Sequence, residues 1–112
     1  MNNNESTPSS TALAPQKMII GSLIDPQRVR QGNDFTLTIA AQLLDERGTA
    51  IPNVDTTWRT TTAGATIVTG PGPMNGTFTL RNVQLSTAIT FTVSTQQYPA
   101  ISATHSLSLI IF

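Results

Sequence analysis

Residues 34–58, DFTLTIAAQLLDERGTAIPNVDTTW, constrain the fold more than any other stretch. Over 34–44, Phe35, Leu37, Ile39, Ala41 and Leu43 alternate with Thr36, Thr38, Ala40 and Gln42. A period of two places the first set on one face of a strand and the second on the other. At helical spacing the same apolar residues would scatter around the cylinder, so a helix is rejected. One apolar and one polar face belongs to an antiparallel sheet with one side wet. Asp45-Glu46-Arg47-Gly48 predicts a turn. A second strand over 54–60 then has Val54, Thr56 and Trp58 on one face, with Asp55, Thr57 and Arg59 on the other. Trp58, the only Trp, is expected inside, with its indole N–H on an acceptor.

The rest of the chain repeats this grammar in shorter units. Strands are predicted over 17–24, 65–69, 77–80, 88–94 and 101–112, with a short edge piece at 28–30. Gly21 marks a bulge or a crossing from one sheet to another. Asp25-Pro26, Gln31-Gly32-Asn33 and the 61–64 segment read as turns, and 96–99 as a loop. Gly70-Pro71-Gly72-Pro73 admits no regular structure, and Asn75-Gly76 favours a tight turn. Roughly seven or eight short strands with frequent turn signals form the pattern of a β-sandwich. The chain has 112 residues, enough for one domain. Its abundant Thr suits the exposed face of a pleated strand.

Residues 1–16 read differently. Asn, Ser, Thr and Pro dominate, and Pro8 and Pro15 block helix and central strand. The expected organisation is an extended arm over 1–16 and a sandwich over 17–112. For the isolated chain the arm's composition predicts a disordered tail. Within an assembly, a neighbouring subunit would hold it. The arm has neither the basic region nor the apolar region of a secretory signal peptide.

Charge narrows the functional classes. Charged residues make up 11%, the formal net charge is zero and the pI is about 6.5. Proteins that neutralise phosphates carry a basic stripe. Here the six Lys and Arg are spread along the chain, with only Arg28 and Arg30 close together. Neither nucleic acid nor a charged membrane surface is an expected partner. No run approaches the ~18–20 apolar residues that span a bilayer. Without cysteine, a disulfide framework, a thiolate zinc site and a Cys nucleophile are excluded.

No residue cluster announces chemistry. His105 is the only histidine and shares a strand face with Leu107 and Leu109. It reads as a hydrogen-bonded residue at the end of a core face, since a catalytic base needs a positioned nucleophile and a metal site needs further ligands. Asp45-Glu46 is explained by the turn, where Asp bonds its own backbone. Its spacing is not that of a calcium loop. The Gly70–Pro73 loop precedes no Lys-Ser/Thr and no helix, so it is no phosphate cradle. The sequons Asn4-Glu5-Ser6 and Asn75-Gly76-Thr77 read as accidental. Leu109-Ile110-Ile111-Phe112 is apolar on both faces, which suits a buried strand or an edge meeting a partner chain. No metal, cofactor or catalytic residue is expected, and the chain does not read as an enzyme.

The segment LTIAAQLLDERGTAIPNVDTTWRTTTAGATI resembles the bacterial immunoglobulin-like domains of intimin and invasin-type adhesins, which also occur in phage structural proteins. The resemblance rests on Asp45, Gly48, Ile51, Pro52, Val54, Trp58, Gly64, Ala65 and Thr66, and directly covers about a third of the chain. Pro73-Met74-Asn75-Gly76 departs from the family pattern, which often repeats D-x-x-G there. The resemblance implies an all-β, immunoglobulin-like sandwich of about seven strands. It implies function only weakly, because the fold hosts many roles. Two expectations follow. One is a virion component, decorating a capsid or associated with a tail, that binds capsid or tail subunits or copies of itself in an oligomeric assembly. The other is a module of a bacterial surface adhesin, acting as a spacer or binding a host-surface protein or glycan. The expected interface residues are Asn2, Asn3, Asn4, Leu13 and Pro15 in the arm, Pro71 and Pro73 in the loop, and Ile110 and Phe112 at the end of the last strand.

Overall fold

The computed structural model describes residues 14–112. Asn2, Asn3, Asn4 and Leu13, and with them most of the expected arm, lie outside the described residues. The described residues form nine strands in two sheets and no helix. They are β1 (Pro15–Ile20), β2 (Gln27–Val29), β3 (Phe35–Asp45), β4 (Ala50–Ile51), β5 (Thr57–Thr60), β6 (Ala65–Thr69), β7 (Asn75–Leu80), β8 (Thr87–Ser94) and β9 (Ser102–Ile111). One sheet runs β1-β3-β7-β6, with β4 also on β3, and the other runs β2-β9-β8-β5. All neighbours are antiparallel except β2 and β9. Two packed sheets with these crossovers make an immunoglobulin-like β-sandwich.

β3 has the face assignment its alternation requires. Phe35, Ile39, Ala41 and Leu43 are buried and Leu37 half-buried, while Thr36, Thr38, Ala40 and Gln42 are exposed. Across the core, Ile89, Phe91 and Val93 of β8 have no solvent exposure, and Leu107 and Leu109 complete the opposite wall. Phe78 of β7 joins the layers, with its ring centroid 6.2 Å from Phe35 and 6.4 Å from Phe91. The separations suit tilted aromatic packing. Gly21 donates to the Ala40 carbonyl at 2.8 Å, and beyond it the chain crosses from the first sheet to β2 in the second.

Several elements differ from the sequence expectation. The short edge piece expected at 28–30 is β2, shifted by one residue, whereas β4, two residues long, is too short for a periodic signal and was not expected. β1 begins at Pro15, opposite Asp45, and ends at Ile20 before the crossing. Regular pairing in β5 begins at Thr57, although Val54 and Thr56 are buried as the alternation requires.

Asn75-Gly76 is the instructive departure. It lies within β7, paired with Ala40 and Ile39 on one side, and Gly76 pairs with Thr69 on the other. Gly76 has no positive φ. Glycine is needed there because the Trp58 indole lies against the strand. A Cβ at residue 76 would stand 2.9 Å or less from three indole carbons. Turn propensity yields to a close approach decided by the opposite sheet.

The Asp45–Gly48 turn follows the expected chemistry. Asp45 Oδ1 accepts from Arg47 N at 2.8 Å and Thr49 N at 2.9 Å, and Gly48, at φ +81°, donates to the Asp45 carbonyl. Glycine takes this left-handed conformation without a Cβ penalty. Asp45 itself is buried, and its Oδ2 has no hydrogen-bond partner.

Candidate protein-interaction surface

The registers place the β3–β4, β6–β7 and β8–β9 connections at one end of the sandwich, called here the upper end. The β2–β3, β5–β6 and β7–β8 connections and Phe112 lie at the lower end.

The interface residues expected from sequence divide between the two ends. Pro15, Pro71 and Pro73 belong to the upper end. Pro73 is tied to the body: its carbonyl accepts from Thr56 N at 3.0 Å and from Thr56 Oγ1 at 2.6 Å. Trp58 Nε1 donates to the same Thr56 hydroxyl at 2.9 Å. The acceptor required by the buried indole is thus a threonine that also braces the Gly-Pro loop. Ile110 and Phe112 belong to the lower end. Ile110 is half-buried opposite Arg28, and Phe112 is 61% exposed, with the Arg30 guanidinium 5.2 Å from its ring centroid. The last strand is therefore not buried on both faces: Leu109 is buried, Ile110 and Ile111 are half-buried, and Phe112 is in solvent. Leu85 is 76% exposed at the same end.

His105 also differs from expectation. Its ring centroid lies 5.9 Å from that of Phe91, but the residue is exposed. It projects from β9 on the inward side, upstream of the stretch that pairs with β2, where among the described residues β8 is the one strand paired with β9. Among the described residues, no three His, Cys, Asp or Glu side chains gather as a metal site would require.

The wet face of the second sheet is lined with hydroxyls. Thr90 and Ser106 share a hydrogen bond of 2.8 Å, as do Thr92 and Thr104. At its upper end two shallow, adjoining troughs of about 240 and 280 Å³ share Thr57, Thr95 and Gln96 in their lining. Asp55 and Gln97 line the first trough and Arg59 the second.

The feature most open to another chain is the outer edge of β9. Only its lower end, at Leu109–Ile111, pairs with β2. Toward Ser102, among the described residues, β8 is the one strand that pairs with it, while β1 of the other sheet packs alongside. The direction of its free groups follows from two bonds: Ser108 N donates to Asp25 Oδ1 at 3.0 Å, and Phe112 N donates to the Val29 carbonyl at 3.1 Å, both on the β2 side. Ile111 N turns the other way, to Ser86 Oγ. Backbone groups alternate along a strand, so those of Ser102, Thr104 and Ser106 point outward. This edge was not legible in the sequence: SATHSLS shows a strand, but not which of its sides lacks a neighbour.

Three other edges are blunted. β1 carries Pro15 and Lys17, both features of protected edges. β5 is closed near its upper end by the Thr56–Pro73 bond, and Thr69 Oγ1 of β6 donates to the Thr56 carbonyl at 2.8 Å. Residues 102–111 of β9 and the following Phe112 contain no Asp, Glu, Lys, Arg or Pro.

No family model matches the chain, and no curated protein matches it. Among solved structures, it is similar to a chimeric titin Z1Z2 functionalized with a KLER exogenous peptide from decorin. That match has 15% sequence identity and a TM-score of 0.57, covering 88% of this chain and 97% of the other. At this identity the likeness concerns the immunoglobulin-like fold alone.

Proposed function

We propose that this domain is a non-enzymatic structural and interaction protein, a component of a phage virion that decorates the capsid or associates with the tail and binds neighbouring protein subunits. The observation that carries the binding role is the open, uncharged upper edge of β9. Unpaired strand groups recruit another extended chain through main-chain hydrogen bonds. The virion setting is supported by the resemblance of the 37–67 segment to immunoglobulin-like domains of phage structural proteins and by the polar N-terminal arm. Purified particles of the encoding phage test it. Quantitative mass spectrometry should find the chain in fixed proportion to the major capsid or tail protein. Its absence from intact particles refutes the virion assignment.

A second reading, a ligand-binding module of a bacterial surface adhesin, is favoured by the troughs at the upper end. Asp55, Arg59, Gln96 and Gln97 offer a carboxylate, a guanidinium and two carboxamides around one shallow surface. Such groups suit the hydroxyls of a host glycan or the polar groups of a host protein. Glycan-array and host-cell binding measurements test this reading, and loss of binding in Arg59→Ala would locate it.

A further inference from the structure

We infer that the upper edge of β9 is a self-pairing site, at which a second copy of this chain adds its own β9 antiparallel, with Thr104 on the two-fold axis. The inference rests on the reading that the domain works by binding protein chains, and it names the partner and the register.

Ser102, Thr104 and Ser106 direct backbone N–H and C=O groups away from β8, as the Ser108 and Phe112 bonds establish. A two-fold axis through Thr104 places Thr104 opposite its own copy and Ser102 opposite Ser106 of the other copy. These facing residues are then the hydrogen-bonded pairs of an antiparallel ladder, each exchanging two N–H···O=C bonds. The intervening pair sets Ala103 against His105 of the other copy. The register uses every outward group of this segment and leaves the β8 ladder untouched.

Three observations favour a second copy. First, the segment bears no Asp, Glu, Lys or Arg. Isologous pairing places each group near its own copy, so any fixed charge at this edge would be repelled by itself. Second, side-chain demand is symmetric. Ser102, Thr104 and Ser106 present hydroxyls on the wet face, and Thr104 and Ser106 already engage Thr92 and Thr90 across the strand. The paired sheets would continue this hydroxyl face without a polar-to-apolar break. Third, the inward residues at this edge need cover. His105 is exposed over the Phe91 ring, and Ala103 is half-buried. An added strand puts a small Ala beside His105 from each side.

One strand pair of this length buries less than the ~1,200 Å² of a stable complex, so the dimer is expected to be weak and concentration-dependent. Self-association of the full chain is measured by sedimentation equilibrium and by amide hydrogen exchange in NMR, from ~10 μM to ~1 mM. The inference predicts a monomer–dimer equilibrium in which the Ser102, Thr104 and Ser106 amides gain protection with concentration, while the β3 and β7 amides do not. Thr104→Pro removes an N–H that no hydrogen bond among the described residues uses. Thr104→Lys brings two ammonium groups together at the axis. Each variant should weaken the dimer at least tenfold. A chain that stays monomeric to ~1 mM with concentration-independent exchange overturns the inference, as does a dimer that Thr104→Lys leaves intact. The wild-type exchange pattern decides the matter even if a variant folds poorly. A monomeric chain still found on particles would sink self-pairing and spare the virion assignment. A Thr104-centred dimer absent from particles would do the reverse.

Discussion

Replacing Gly76 with alanine tests the central packing argument. Gly76 lies in β7 between β3 and β6, paired with Ile39 and Thr69, so its backbone is held from both sides. The added methyl would meet Cδ2, Cε2 and Cε3 of Trp58 at 2.9 Å or less, well inside contact distance. The indole cannot retreat freely, because Nε1 is bonded to Thr56 Oγ1, which in turn donates to the Pro73 carbonyl. Overpacking a core costs about 1–3 kcal/mol. Losing the indole's hydrogen bond adds about 1–3 kcal/mol if the ring shifts. Alanine returns about 0.5–1 kcal/mol through its lower backbone entropy cost. The expected net loss is about 2–4 kcal/mol, a fall in Tm of about 10–25 °C for a domain of this size. Urea unfolding followed by far-UV circular dichroism measures it directly, with a probe that Trp58→Phe leaves in place. A double-mutant cycle sharpens the test. Trp58→Phe supplies a smaller ring, so in its background Gly76→Ala should cost at least about 1 kcal/mol less. A loss below about 0.5 kcal/mol, or strict additivity with Trp58→Phe, would refute the close-approach argument.

Three further outcomes follow from the same structure. Thr56→Val keeps the side-chain shape but leaves the buried indole N–H without an acceptor and removes the hydroxyl bond to the Pro73 carbonyl, keeping the backbone one. Unfolding titrations should show a loss of about 1–3 kcal/mol. Asp45→Ala removes both side-chain bonds that close the β3–β4 turn and should cost about 1–3 kcal/mol. Asp45→Asn retains an acceptor for Arg47 N and Thr49 N and discharges the unpartnered buried oxygen, so it should cost less than Asp45→Ala in the same titration. Asn75-Gly76, ordinarily prone to deamidation, is held in a paired strand. Peptide mapping after prolonged incubation should find Asn75 intact in the folded chain and modified only after unfolding.

The strong periodic elements were readable without coordinates because their signals are local. The β3 alternation, the Ile89–Phe91–Val93 face and the Asp45–Gly48 turn each depend on residues close in sequence, and each forms as expected. The burial of Val54, Thr56 and Trp58 was legible in the same way, even where regular pairing starts later. The failures were also physical. β4 is too short for periodicity to detect. His105 has the parity of a core residue but lies exposed on β9, upstream of its pairing with β2. The candidate interface residues were chosen from composition, and the registers place Pro71 and Pro73 at the opposite end from Phe112.

What this sequence determined by itself was a two-faced set of strands, their turns, and one large aromatic to bury. Periodicity and turn chemistry act over a few residues, so they survive in the linear text. Tertiary structure decided why residue 76 is glycine, which hydroxyl receives the indole N–H, and which strand edge remains without a neighbour. Each depends on atoms brought together from opposite sheets or distant loops. The same dipeptide, Asn75-Gly76, would turn the chain in a free hairpin. Here it runs straight because the Trp58 ring requires a strand without a Cβ beneath it.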